Sequence, residues 1–109
     1  MHINVTFRHM ESSDAIKSYV DKRFTKLERY LHDPIKFEVW LAVEKSLHTA
    51  EAEVISKGYD AKFQADGKPD IYAAIDNLAS KMEKAIRRHK EKVKDHKTAA
   101  APEPEPAVE

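Results

Sequence analysis

The sequence predicts an α+β domain of order β-α-β-β-β-α, a four-stranded mixed sheet carrying two helices on one face. Three observations predict it: period-two alternation of apolar residues in four segments, apolar spacings of three and four in two others, and cap or turn residues at the junctions. His2 to His9 alternates Ile3, Val5 and Phe7 with Asn4, Thr6 and Arg8, the pattern of a half-buried strand. Ser12-Ser13-Asp14 offers N-cap oxygens, and Ile16, Val20, Phe24, Leu27 and Leu31 then recur at helical spacing. That first helix is expected to run to about Leu31, stopping before Asp33-Pro34 because a residue preceding proline avoids the helical region.

Phe37, Val39, Leu41 and Val43 alternate with Glu38, Trp40, Ala42 and Glu44 as a second strand, and Lys45-Ser46 makes a turn. Ala50, Ala52 and Val54 form the third strand, Lys57-Gly58 the next turn, and Tyr59, Ala61, Phe63 and Ala65 the fourth strand. Asp66-Gly67-Lys68-Pro69-Asp70 is loop chemistry ending in an N-cap, after which Ile71, Ile75, Leu78, Met82 and Ile86, extended by His89 and Val93, stripe a helix from Asp70 to Lys97. The first two strands, joined through a helix, should be parallel by a right-handed crossover, and the last three an antiparallel meander. Residues 1–97 are one domain, and 98–109, Ala- then Pro- and Glu-rich, a disordered acidic tail.

The composition removes several classes of function. No cysteine is present, so thiolate chemistry, disulfides and Cys-based zinc sites are excluded. The six histidines form no HExxH or comparable ligand pattern, two glycines cannot build a phosphate loop, and no nucleophile elbow occurs; neither an enzyme, a metal site nor a cofactor is expected. No secretory leader and no long apolar run are seen, so the chain reads as soluble and cytoplasmic, with no membrane partner.

Charge is informative because it is local. The formal net charge is +0, yet from Lys81 to Lys97 eight cations face three acids, and from Lys17 to Arg29 five face two. Lys81, Lys84, Arg88 and Lys92 should form a row beside the apolar stripe of the second helix, with Arg87, Lys90 and Lys94 on its other side. Lys22, Lys26 and Arg29 lie away from the core of the first helix, with Arg23 at its margin. If the helices pack side by side, the two rows would flank a shared groove. The opposite sheet face would carry Glu38, Trp40, Glu44, Glu51, Glu53, Asp60 and Lys62, which is mostly acidic. Lysine-rich helix faces are commonly just solvated surface, so charge alone leaves two readings open, a solvated face and a polyanion-binding one. Trp40 lacks the aromatic neighbours of an RNA-stacking sheet and reads as a packing residue, as does Tyr72.

The runs Val43-Glu44-Lys45-Ser46-Leu47-His48-Thr49-Ala50-Glu51-Ala52, Asp70-Ile71-Tyr72-Ala73-Ala74-Ile75-Asp76 and His89-Lys90-Glu91-Lys92-Val93-Lys94 closely resemble the short ribosome hibernation promoting factors of bacteria, over roughly Met1 to His96. The resemblance implies the same fold and binding to the small ribosomal subunit, in the channel of the mRNA and the tRNA anticodon ends. Matching positions imply rRNA contacts from Arg23, Lys26, Lys81, Lys84, Arg88, Lys90, Lys92 and Lys94. Charge and location alone add Lys22, Arg29, Lys45, His48 and Arg87. A ribosome modulation factor is the expected helper, and the free protein is expected to be a monomer. Long-form members have a second, ribosome-pairing domain that is not expected here. A related ribosome-associated inhibitor carries an acidic tail that obstructs ribosome dimerisation, so residues 98–109 leave the outcome open between promoting and opposing dimers. A protein-interaction module that modulates transcription and a general double-stranded RNA binder are the remaining alternatives.

Overall fold

The structure, a computed structural model, describes the backbone of residues 1–98 and the side chains of residues 1–92. The tail from residue 99 onward and the side chains of Val93 and Lys94 therefore lie outside the described residues. The chain runs β1 (His2–Arg8), α1 (Asp14–Thr25), a 3-10 helix (Lys26–Tyr30), β2 (Ile35–Glu44), β3 (Leu47–Ser56), β4 (Tyr59–Gly67) and α2 (Ile71–Thr98). The expected α+β order is present in full.

The strands lie side by side in sequence order. β1 pairs parallel with β2, placing Val5 opposite Val39, whereas β2, β3 and β4 are antiparallel, with Leu41 opposite Ala50 and Ala52 opposite Phe63. Alternation along these strands puts Phe37, Val39, Leu41, Ala50, Ala52 and Val54 on one face, where they share a single core with Val20, Phe24, Leu27, Ile75, Leu78, Met82 and Ile86. Both helices therefore cover the same side of the sheet. Phe24 meets Phe37 edge to face with centroids 5.3 Å apart, joining α1 to β2.

Caps and turns follow the chemistry of their residues. Ser13 Oγ accepts from Ile16 N at 3.2 Å and starts α1, and Asp70 Oδ1 accepts from Ala73 N at 3.1 Å and starts α2. Lys45, at the β2–β3 turn, has φ 58, and Gly58 at the next hairpin has φ 86.

The first helix departs from expectation. It is α-helical only to Thr25 and then tightens into the 3-10 segment, ending where Leu31 becomes extended. Phe24, Leu27 and Tyr30 recur every three residues, which suits three residues per turn, so the tighter helix keeps all three facing inward. Gly67 departs as well: expected to be loop, it ends β4, pairs with His48, and sits so close to α2 that a Cβ there would fall 2.2 Å from Ala74 N.

Candidate nucleic-acid interface

α2 follows β4 by a short loop and returns along it, so its first turn lies over Gly67 and its later turns over the start of β4, where the His89 ring packs on Tyr59 with centroids 4.5 Å apart. His89 thus belongs to the apolar stripe, as expected, and burial raises the Tyr59 hydroxyl pKa. Beyond His89 the helix passes the end of the sheet. The nine residues from there to Thr98 extend about 14 Å further at 1.5 Å each.

The cations of α2 fall on two flanks. Lys81 Nζ donates to Gln64 O at 2.6 Å and Asn77 Nδ2 to Asp66 O at 2.8 Å, which fixes one flank above the free edge of β4. At about 100° per residue Lys84, Arg88 and Lys92 share that flank. All four cations of the row are exposed, Lys81 being tethered by the edge of β4 as well. Both side-chain donors also satisfy carbonyls that an edge strand would otherwise leave open to another chain.

The other flank faces α1. Asp76 Oδ1 accepts from the Tyr19 hydroxyl at 2.6 Å and lies 3.4 Å from Arg23 Nε, while Arg23 Nη2 donates to Asp76 O at 3.4 Å. The Tyr19 ring meets Tyr72 edge to face at 5.1 Å, which gives Tyr72 the packing role expected of it. The hydrogen bond to the Asp76 carboxylate raises the Tyr19 pKa, with desolvation acting in the same direction. Further along, Lys90 Nζ donates to Arg29 O at 3.2 Å, and the Arg29 guanidinium and Lys90 ammonium stand 5.0 and 6.0 Å from the centre of the Tyr30 ring. Arg87 is exposed beside them, 3.9 Å from Glu83 one turn earlier, and Lys22 and Lys26 are exposed on the outer surface of helix one.

The expected shared groove is thus only half realised. Arg23, Arg29, Arg87 and Lys90 gather at the seam between the helices and Lys22 and Lys26 lie on the outer surface of helix one, while Lys81, Lys84, Arg88 and Lys92 look the other way, over β4. Lys45 and His48 join neither group. They sit at the β2–β3 turn, the end where His48 pairs with Gly67, whereas Ser56 pairs with Tyr59 at the end beneath His89. Eight residues of strand separate the two ends, about 27 Å. The Asp76 carboxylate, the lock of the seam, was not singled out as a site residue from the sequence, although it closes the Asp70–Asp76 run.

The sheet's other face is open. It carries Arg8, Lys36 and Lys62 against Glu38, Glu44, Glu51, Glu53, Asp60 and Asp66, three cations to six acids. Among the described residues no three His, Asp or Glu side chains cluster as a metal site would require, and no helix is long and apolar enough to cross a membrane.

Residues 3–94 match the family model described as sigma 54 modulation protein / S30EA ribosomal protein. The chain belongs to this family. It is 36% identical over 96 residues to the ribosome hibernation promoting factor of Escherichia coli K12, covering 88% of this chain and 100% of that one. The factor of the same name from Azotobacter vinelandii is 33% identical over 92 residues, 84% of this chain and 85% of that one. The crystal structure of the Thermus thermophilus Protein Y N-terminal domain superposes with a TM-score of 0.75 at 29% identity, over 82% of this chain and 99% of that one. A ribosomal subunit interface protein from Coxiella burnetii, at 24% identity and TM-score 0.69 over 84% of this chain and 99% of that one, has the same fold. Membership in the family accounts for the element order, and the two-flank cation layer is what this sequence builds on it.

Proposed function

We propose that this chain is a ribosome hibernation factor that binds rRNA of the small ribosomal subunit in the decoding channel and blocks mRNA and tRNA there. In stationary phase or stress it promotes or stabilises inactive, dimerised ribosomes. The observation that supports this most is the match to the whole length of a hibernation promoting factor at 36% identity, in a fold whose helical layer exposes the cations. The reading needs no catalytic group. Steric exclusion does the blocking, and contacts from Arg23, Lys26, Lys81, Lys84, Arg88, Lys90, Lys92 and Lys94 to phosphate supply affinity, with Lys22, Arg29 and Arg87 as additional cations. Lys45 and His48, at the far end of the sheet, are weaker candidates for rRNA contact at a separate part of the same channel. The protein acts in the cytoplasm, as a monomer when free, with a ribosome modulation factor as helper in dimer formation.

Residues 98–109, with Glu103, Glu105 and Glu109, favour a second reading, a tailed inhibitor that keeps idle ribosomes monomeric. Sucrose-gradient sedimentation of ribosomes with the full chain and with a chain ending at Lys97, each with and without the modulation factor, separates the two. Comigration of both chains with dimers supports hibernation promotion, and dimers with the shortened chain alone support the tailed inhibitor. Unchanged binding to small subunits by a folded Lys84→Glu, Arg88→Glu, Lys92→Glu variant would refute the proposed surface.

A further inference from the structure

The open face of the sheet is where the charge pattern works against the fold. Glu38 and Glu53 stand directly opposite each other across β2 and β3, and Glu51 is paired with Trp40 in the adjacent register position. Like charges in directly opposed positions weaken a sheet. Asn4 Nδ2 and Lys36 Nζ, at 3.1 and 3.2 Å, compensate Glu38 and lower its pKa, the Asn4 hydrogen bond contributing most. Among the described residues Glu51 and Glu53 have no ion pair, although both are half-buried and Glu53 is in register with Lys62. Beside them the half-buried Trp40 holds the Arg8 guanidinium 5.9 Å from its ring centre, and a groove of about 410 Å³ runs between Arg8, Trp40, Glu51, Lys62 and Gln64.

We propose that this face docks an arginine-rich, extended segment of a partner protein. Charge complementarity selects the occupant: six acids against three cations repel phosphate, and uncompensated carboxylates beside an indole suit guanidinium groups, which stack on aromatic rings and bond carboxylates in a fork. Arg8 shows within the chain that the Trp40 ring accepts a guanidinium. Both helices lie on the other side of the sheet, so the segment docks whatever the helices bind.

Trp40 is the chain's single tryptophan and reports directly on the site. Titrating the full chain with a ten-residue peptide of alternating Arg and Ser should give a saturable change in its emission. The Glu51→Gln, Glu53→Gln variant should bind at least tenfold more weakly, and the Glu28→Gln, Glu91→Gln variant, with the same charge change at exposed positions of the helical layer, should bind as the unaltered chain does. Amide chemical-shift mapping on the unaltered chain should place the perturbed residues on β2, β3 and β4 rather than on α2. No saturable emission change, equal affinity for the glutamine variant, shifts confined to α2, or displacement of the peptide by an equal concentration of spermidine would each overturn the proposal.

Discussion

Replacing Asp76 by asparagine should move stability and polyanion affinity in opposite directions. The carboxylate accepts from Tyr19 at 2.6 Å and holds Arg23 Nε at 3.4 Å, with side chains 45% and 32% exposed for Asp76 and Arg23. A hydrogen bond to a charged acceptor contributes about 1.5–3 kcal/mol when well shielded, and an exposed ion pair about 0–1 kcal/mol. Partial exposure places the carboxylate at the low end, and asparagine keeps a neutral acceptor for Tyr19, so the expected loss is about 1 kcal/mol. For a domain of this size that is a fall of about 4–8 °C in Tm. The same change removes the anion beside Arg23, so that its guanidinium is held only by the Asp76 backbone oxygen and is more available to a phosphate. Binding to small subunits, followed by filter retention across a salt series, should be as tight or tighter at low salt, with a log–log slope steeper by about 0.7. Unchanged stability would show that the seam is not held by Asp76. Weaker binding with an unchanged slope, in a variant that remains folded, would show that Arg23 needs Asp76 to reach its phosphate.

Gly67→Ala should destabilise by about 3 kcal/mol in urea unfolding, because its Cβ would meet the backbone of Ala73 and Ala74 at 2.2–2.6 Å and that backbone cannot swing aside as a side chain would. Gly58→Ala, with open space around it but φ +86, should cost only about 1 kcal/mol from left-handed strain. Asn4→Ala should raise the Glu38 pKa, read by NMR titration. Because the folded pKa is depressed, Glu38 contributes stability that is present above the ordinary carboxylate range and lost as pH falls through the lower folded value, and the variant should keep only the part of that acid dependence that Lys36 supplies. The Tyr19 hydroxyl titrates above its ordinary range, so the stability linked to it is complete below pH 10.0 and disappears as pH rises through the folded value; Asp76→Asn should bring the transition of Tyr19 back down in a spectrophotometric titration.

Strands and helices were legible because their signals are local: alternation places Phe37, Val39 and Leu41 on one face whatever else the chain does, and Ser13 and Asp70 cap the residues just after them. The 3-10 segment was missed because the spacing from Phe24 through Leu27 to Leu31 fits an α-helix as well, and what separates the two is the packing of Tyr30 near Lys90, a contact 60 positions away in sequence. Gly67 read as loop chemistry because its constraint comes from Ala74, across the turn into α2. In the site, composition located the basic residues but not their division. Which flank a lysine joins is decided by partners such as Gln64 O and Arg29 O, 17 and 61 positions away, and the lock at Asp76 joins residues 53 and 57 positions apart.

The segregation of cations to the helical layer and acids to the open sheet gives the domain a dipole, and because the formal net charge of +0 is reached only with Glu103, Glu105 and Glu109 counted, residues 1–98 carry 19 cations against 16 acids. An anionic surface pulls such a body in weakly and turns it, and at physiological ionic strength it does both only within about 8 Å. Capture is therefore selective for orientation. Once the helices lie against phosphate, the acidic sheet faces outward, so the covered surface presents the same sign of charge as before and the total charge of the particle is unchanged.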